Sequence, residues 1–397
     1  MKMSHFFLAA LSASATVAHA QSSVTLYGII DDGINYTSNV QTAPGQGHNL
    51  VNLSFGVLQG SRWGLRGTED LGGGLSAVFV LENAFDENTG ALKTGGLEFG
   101  RQAYVGMSSD TFGGVTLGRQ YDSVVDYVGP LEAGDQWGGY IAAHPGDMDN
   151  FNNAYRTDNT VKYTSANYSG LKFGGTYSFG GVAGNFTSNQ TWSLGAAYHN
   201  GPLALGIGYL NARTPAHAGG LFGNNTTTST PSAVTTPVYS GFTSANTYQV
   251  MGAGGAYTFG AATLGATYSN IRFMNLGAVA SLNKSGYVGT ATFNNAEINF
   301  KYQMTAALLV GAAFDYTNGS DVNEANGTTH PGARYYQGEL GADYFLSKRT
   351  DVYLIGVYQK ASGTDSTSGS AVAAINGLTA SATDRQATVR IGIRHKF

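Results

Sequence analysis

Six carboxylates stand close together in one stretch of this chain, between Gly118 and Arg156. They share it with aromatic residues, prolines and glycines, and they are Asp122, Asp126, Glu132, Asp135, Asp147 and Asp149. Carboxylates placed in this way could bind a hard cation such as Ca²⁺, or present negative charge to a passing solute. The spacing of Asp147 and Asp149 matches no defined Ca²⁺ site. We therefore predict no metal and no cofactor, and we expect the acids to present negative charge to passing solutes.

The histidines test the alternative that the chain is an enzyme. A lipase or protease built on a barrel needs a Ser with a His base, or an Asp and His pair, within reach of each other. The histidines beyond residue 20 lie in loops, at a turn or near the end of the chain, without a Ser on a matching strand phase: His48, His144, His199, His217, His330 and His395. The HPGD segment at His144 is interpreted as a turn. We predict that the chain is not an enzyme.

Nucleotide and nucleic-acid binding are not predicted either. The glycine-rich segment Asp70–Gly74 lies between two strand patterns and not before a helix. It is therefore a turn between strands and not a phosphate-binding loop.

Strands of alternating polarity must position the acidic stretch. From Ser22 onward the chain repeats segments of about ten residues in which apolar and polar side chains alternate, as in a strand with one apolar face. The clearest is Asn294–Met304, whose apolar face carries Ala296, Ile298, Phe300, Tyr302 and Met304. Aromatic residues make up 12% of the chain, Gly numbers 57 and Cys is absent. This composition favours a β protein held together without disulfides.

Short turns and long loops follow each other in a regular order along the chain. Short turns fall near residues 69–74, 110–114, 168–170, 200–202, 259–261, 303–306 and 346–350. Longer connections fall near residues 37–49, 88–96, 122–156, 180–190, 214–246, 273–290, 318–334 and 362–383. This asymmetry is typical of outer-membrane barrels, which have short periplasmic turns and long external loops. We predict an all-β fold, a 16-stranded antiparallel transmembrane β-barrel.

Two of the long connections differ from each other in character. Residues 122–156 exceed the length of an ordinary connection, and they carry enough apolar surface, including Trp137 and Phe151, to pack against something. We predict that this third external loop folds into the barrel as a constriction loop. Residues 214–246 are rich in Thr, Ser, Gly and Asn and low in charge. They predict a flexible surface loop.

Both ends of the chain carry export signals. Residues 1–20 combine Lys2, an apolar run and the small residues Ala18 and Ala20, which predicts a secretory signal peptide and a mature barrel over residues 21–397. The last segment, RQATVRIGIRHKF, places apolar residues on one face and Arg390 and Arg394 on the other. A charge facing lipid costs about 2 to 4 kcal/mol near the midplane, so these arginines must face the lumen. The terminal Phe397 is the predicted signal for the barrel-assembly machinery.

Several blocks of the sequence resemble the trimeric general porins of Gram-negative bacteria, in their β-proteobacterial branch. They fall in family order over essentially the whole mature chain, and they read SSVTLYGIIDDGINY, GSRWGLRGTEDLGGGLSAVFVLE, FGRQAYVGM, GGVTLGRQYD and NTVKYTS. The resemblance implies a homotrimer of 16-stranded barrels. It also implies that the third external loop narrows each lumen, so that arginines of the wall face carboxylates of the loop.

The resemblance also assigns residues to this constriction. The resemblance assigns Arg62, Arg101 and Arg156 to the wall, and Arg66 is added because it shares the strand phase of Arg62. On the loop, Glu132 lies about where the family places its acid, but Leu131 separates it from Pro130, so Asp126 remains an open alternative. The candidate residues are Arg62, Arg66, Arg101, Arg156, Asp126 and Glu132.

The predicted function is that of an outer-membrane general diffusion porin, a passive water-filled channel for ions and small hydrophilic solutes. Three or four cations that face one or two acids predict a weak preference for anions, although the whole chain carries a net charge of −4. The alternative is a solute-specific channel. Its hallmark would be a line of aromatic residues, but the many Tyr and Trp residues also suit the interfacial girdles. Expected partners are other copies of the chain, outer-membrane lipids and the assembly machinery, and no nucleic acid.

Overall fold

The computed structural model describes residues 23–225 and 234–397 of the chain. The predicted signal peptide and part of the predicted surface loop at residues 214–246 lie outside the described residues. The strands are β1 (Ser23–Ala43), β2 (Gln46–Phe55), β3 (Arg62–Gly72), β4 (Leu75–Ala84), β5 (Gln102–Ser109), β6 (Gly113–Gln120), β7 (Thr157–Thr164), β8 (Leu171–Ser178), β9 (Thr191–Asn200), β10 (Leu203–Arg213), β11 (Thr247–Phe259), β12 (Ala262–Leu276), β13 (Tyr287–Gln303), β14 (Leu308–Gly319), β15 (Val322–Glu324), β16 (Thr329–His330), β17 (Arg334–Phe345), β18 (Thr350–Ser362) and β19 (Arg385–Lys396).

Helical structure in these ranges is confined to the connections. The α-helix α1 (Ser123–Tyr127) begins the third long loop. Single helical turns are Thr94–Gly96, Gly129–Leu131, Gly134–Gly138, Tyr140–Ala142, Pro145–Asp147, Leu221–Gly223, Ser240–Phe242 and Ala280–Leu282. None of the described helices has the length and apolar character that a membrane crossing requires.

The strands form one closed antiparallel sheet. The first and last strands, β1 and β19, pair from Ile29 opposite Lys396 to Thr37 opposite Thr388, and this pairing closes the barrel. Strands β2 and β3 both pair with β1 and are two parts of one wall strand, interrupted at residues 56–61. The short strands β15 and β16 form a hairpin beside the beginning of β13. Of the 19 strands, 16 therefore make the wall, which confirms the predicted fold class.

Two predicted loops are partly strand. Residues 37–49 form an extended hairpin in which Val40 pairs with His48, and β1 runs on to Ala43. The reversal at Gly45 has φ of +73°, a conformation that glycine adopts without steric cost. In the segment 273–290, β12 continues to Leu276 and β13 begins at Tyr287. Polar residues in these hairpins lie beyond the apolar part of the wall, where paired strands need no apolar face.

The wall presents apolar side chains outward and polar side chains to the lumen. On β19, Ile391 and Ile393 are exposed, whereas Arg390 is fully buried with Nη2 3.3 Å from Oδ1 of Asp31. Arg394 lies 3.0 Å from Asp351 across the pair of β18 and β19. The prediction that the arginines of the last strand face inward is confirmed. This polarity is the reverse of that of a soluble protein and suits a wall surrounded by lipid.

Glycines in the wall make room for the third long loop inside the barrel. A side chain at Gly206 or Gly208 of β10 would meet the backbone of α1. Farther round the barrel, Gly311 and Gly341 lie against the ring of Trp137. The loop therefore packs on a wall surface that lacks side chains at these positions.

Candidate functional site

A cavity of about 310 Å³ separates the inward loop from the wall strands on the opposite side. It lies beside the interruption between β2 and β3, so wall and loop both contribute charged side chains to it. Its charged and aromatic lining residues are Arg62, Arg101, Tyr121, Asp126, Asp135, Tyr140 and Phe151. We call this space the constriction.

Arg101 is held against the wall by a partner on the next strand. It precedes β5 and is 5% exposed, with Nε donating to Oε1 of Glu82 on β4 at 2.8 Å. A second bond runs from Nη2 to the hydroxyl of Tyr121 at 2.9 Å. A buried ion pair with two hydrogen bonds fixes the guanidinium in place, and the charge of Glu82 offsets much of its field.

Arg62 and Arg156 are held less tightly. The Nε of Arg62 donates to the carbonyl of Gly60 at 2.9 Å, in the interruption between β2 and β3. The guanidinium of Arg156 lies over the ring of Tyr121, 5.8 Å from its centroid, and so stands beside the constriction. Its Nε has no hydrogen-bond partner within the described part of the chain. These two cations therefore present more uncompensated charge than Arg101 does.

Arg66 lies outside the constriction, which corrects its predicted place there. It is exposed, and its guanidinium carbon is 5.2 Å from the centroid of the Tyr27 ring. It lines a separate space toward the short turns, together with Ser23 and Asp110. A strand advances about 3.3 Å per residue, so four residues along β3 carry Arg66 about 13 Å from Arg62. The shared phase gives the same face of the strand but not the same depth.

The two loop acids that reach the constriction are Asp126 and Asp135. Asp126 forms an ion pair with Nζ of Lys162 on β7. Asp135 is exposed and has no ion pair within 4 Å among the described residues. Desolvation by the surrounding loop and wall raises the pKa of Asp135, while Arg62 and Arg101 lower it. Asp135 is therefore the loop charge that faces the wall arginines most directly.

Glu132 does not line the constriction, and the prediction for this residue is wrong in that respect. Its side chain is 0% exposed and points behind the loop, toward the wall. Oε1 accepts a hydrogen bond from the backbone N–H of His144 at 3.0 Å. Short helical turns rotate successive side chains of the loop by about 100° to 120°, so sequence position after Pro130 does not decide which side faces water.

Glu82 and Asp135 are the site residues that the sequence reasoning missed. Glu82 had a usable signal, because a carboxylate inside a transmembrane strand must face the lumen of a barrel. Asp135 had no such signal, since no strand period applies within an irregular loop.

Comparisons with known proteins agree with this architecture. Residues 8–364 match the family described as Gram-negative porin. An outer membrane porin protein of Bordetella pertussis is 32% identical over 391 residues, covering 91% of this chain and 94% of that protein. Outer membrane porin protein 32 of Delftia acidovorans is 35% identical over 228 residues, covering 54% and 61%. Among solved structures, the anion-selective porin from Comamonas acidovorans is similar, with a TM-score of 0.70 and 24% identity over 95% of this chain and 100% of that one.

Proposed function

This chain belongs to the Gram-negative porin family and forms a passive diffusion channel in the outer membrane, and we propose that its constriction gives the channel a weak preference for anions. The family and the fold indicate a channel rather than an enzyme. The observation that carries the proposal is the placement of Arg62 and Arg101 on the wall side of the constriction, with Asp135 on the loop side.

The balance of charge around the constriction favours anions by a small margin. Its cations are three arginines and one lysine, and its acids are three carboxylates, so the sum is 4 − 3 = +1. The residues are Arg62, Arg101, Arg156, Lys162, Glu82, Asp126 and Asp135. Charges farther than the screening length of about 8 Å in physiological salt contribute little. The preference therefore follows this local surplus and not the net charge of the whole chain.

The arrangement also supports a field across the channel. Positive charge lies on the wall and negative charge on the loop, so a solute that passes between them meets a transverse field. Such a field orients dipolar solutes without requiring a binding site for any one of them. This is the behaviour of a general channel for small hydrophilic solutes and ions.

A salt gradient across a planar bilayer tests the preference. We expect a zero-current potential with the sign of a weak anion selectivity, and a shift toward cations in Arg62→Ser. The matched control is Arg66→Ser on the same strand face, which removes the same charge outside the constriction. Strong cation selectivity of the wild type, or equal shifts in both variants, would contradict the assignment.

We further propose that the chain is processed after Ala20, that residues 122–156 act as the constriction loop, and that the mature chain assembles as a homotrimer. The resemblance to trimeric porins supports the assembly. Mass measurement of the native protein in mild detergent checks the oligomer. A monomer mass would contradict it.

A further inference from the structure

We propose that His144, Glu132 and Glu297 bind one divalent transition-metal ion, of which Zn²⁺ is the best fit, in a closed site between the inward loop and strand β13. The site lies behind the loop, on the side away from the constriction. Each residue offers one ligand atom, and these atoms all lie within 4.8 Å of one another. All three side chains are buried.

Two ligand atoms at this site are free to bind. Nε2 of His144 and Oε2 of Glu132 are fully buried and have no hydrogen-bond partner within the described part of the chain. Nε2 of His144 is aimed at Oε2 of Glu297, 3.6 Å away. Leaving a buried nitrogen without a partner destabilises the fold, and a metal bond would remove that cost.

The surrounding hydrogen bonds prepare the histidine as a ligand. Nδ1 of His144 lies 2.6 Å from Oδ2 of Asp149, a bond that places the proton on Nδ1 and leaves the lone pair on Nε2. Ser269 and Asn295 donate to the same Oδ2 at 2.6 and 3.1 Å and hold Asp149 in place. A carboxylate behind a histidine is the usual outer shell of a metal site.

The carboxylate from the wall is oriented in the same way. Nδ2 of Asn299 donates to Oε1 of Glu297 at 2.6 Å, and the backbone N–H of Ala133 donates to both carboxylate oxygens, at 3.0 and 3.3 Å. These bonds fix the Glu297 side chain with Oε2 directed at the histidine. The loop and the wall thus meet at a site that is ordered from both sides.

The competing arrangement is a protonated His144 that holds the acids by charge alone. A charged imidazole would place its second N–H about 2.8 Å from a carboxylate oxygen, since such bonds are short. The separation of 3.6 Å is too long for that bond. Two ligand atoms bound to one Zn²⁺ at about 2.1 Å stand roughly 3.4 Å apart, close to the spacing here.

Charge and ligand type point to the same ion. Two ionised glutamates and the Asp149 carboxylate behind a neutral histidine carry three negative charges in a buried site, and a divalent cation would neutralise two of them. Ca²⁺ and Mg²⁺ prefer sites made only of oxygen, whereas imidazole with carboxylate suits Zn²⁺ and its neighbours in the transition series. Because the site is closed, the ion must enter before the loop packs against the wall.

The metal content of the untagged protein, purified from outer membranes, tests the proposal. We expect about one zinc per chain that survives dialysis against EDTA while the protein is folded and is released on unfolding. X-ray absorption at the zinc edge should show one imidazole nitrogen with oxygens at about 2.0 to 2.1 Å. A folded protein with less than about a tenth of one zinc per chain, both from membranes and after refolding with Zn²⁺, would overturn the proposal.

Substitutions locate the ion. His144→Gln and Glu297→Gln should each lower the retained zinc more than tenfold. The matched control is His330→Gln, because His330 also faces a glutamate, with Nε2 2.7 Å from Oε1 of Glu324, but in an external loop. Full zinc retention in both His144→Gln and Glu297→Gln, or equal loss in His330→Gln, would place the ion elsewhere. If neither site variant folds, refolding the wild type with Co²⁺ decides the question. A four-coordinate Co²⁺ ion in the protein absorbs strongly in the visible, whereas the six-coordinate complex with excess EDTA absorbs only weakly, and absence of the strong band would overturn the proposal.

Discussion

Arg101 forms its ion pair with Glu82 on the neighbouring wall strand, with Nε 2.8 Å from Oε1, and with no carboxylate of the inward loop among the described residues. The pair is almost fully buried, with side-chain exposures of 6% and 5%. The charge that this corner of the wall presents to the lumen is therefore the difference between two large and opposite contributions. Either partner should have a strong effect when removed alone, and the two removals should act in opposite directions.

The first prediction concerns the ion preference of these two variants. Arg101→Ser should shift selectivity toward cations and Glu82→Gln toward anions. Two unit charges about 7 Å apart interact by roughly 0.6 kcal/mol in water and roughly 2.4 kcal/mol at an effective permittivity of 20. Each change should therefore alter the ratio of anion to cation passage by a factor between about 3 and about 60. Zero-current potentials in planar bilayers measure this ratio.

The double variant is the control for this prediction. Arg101→Ser combined with Glu82→Gln removes both charges and should return the potential close to that of the wild type. Effects that add without cancelling would show that the two residues act on ions independently.

The second prediction concerns the wall glycines that face Trp137. Gly341→Val places a side chain against that ring, so the loop must move into the lumen, and the single-channel conductance should fall. Overpacking of this kind costs about 1 to 3 kcal/mol, which should also lower the thermal stability. Conductance and the unfolding temperature measure the two effects.

Gly338 on the same strand supplies the comparison. A side chain at Gly338 meets nothing within 4 Å, because it points outward. Gly338→Val should therefore leave the conductance unchanged. A similar fall in both variants would mean that the loop does not rest on the wall at Gly341.

Much of the wall could be predicted from the sequence, because each strand has lipid on one face and water on the other. That contrast produces an alternation of apolar and polar residues with a period of two, and β13 follows it closely. The interruption at residues 56–61 divides one wall strand, but the residues there do not differ in composition from the rest of the chain. No pattern in the sequence therefore marks it. The constriction was predicted less well. The orientation of Glu132 depends on how the short helical turns of the loop rotate its side chains. The pairing of Arg101 with Glu82 depends on the register of β4 and β5. Neither property appears as a period in the sequence.

The third prediction concerns the pH dependence of the docked loop through Asp122. This buried residue caps α1, with Oδ1 accepting from the N–H of Val124 at 2.8 Å and Oδ2 accepting from Asn150 at 2.6 Å. Burial raises the pKa of Asp122 from 3.8 to about 6, and the charge of Asp126 adds to the rise. The docked loop therefore binds a proton more tightly than an undocked loop does.

The sign follows from this difference. The contribution of Asp122 to docking should be largest below about pH 4 and should be lost as the pH rises through about 6. At about 1.4 kcal/mol per pKa unit the loss approaches 3 kcal/mol. Hydrogen exchange of the α1 amides, corrected for intrinsic rates, measures it. Asp122→Asn keeps a capping oxygen and should lose the change in protection between about pH 4 and pH 6, and absence of that change in the wild type would refute the role of Asp122.

The fourth prediction concerns the end of the chain. Phe397 exchanges two backbone hydrogen bonds of 3.0 Å with Gly28, and its ring lies over that glycine, where any larger residue would collide with it. The ring is nonetheless 42% exposed, so its loss should cost only about 1 to 2 kcal/mol of stability. We predict that the assembly machinery recognises the terminal aromatic residue, and we therefore expect Phe397→Ala to lower the amount of protein in the outer membrane several-fold. The unfolding temperature of refolded protein should change little.

Phe259→Ala is the control, since Phe259 is an exposed aromatic residue beside a short turn at the same end of the barrel. Normal accumulation of Phe397→Ala, or equal losses in both variants, would show that Phe397 is no assembly signal.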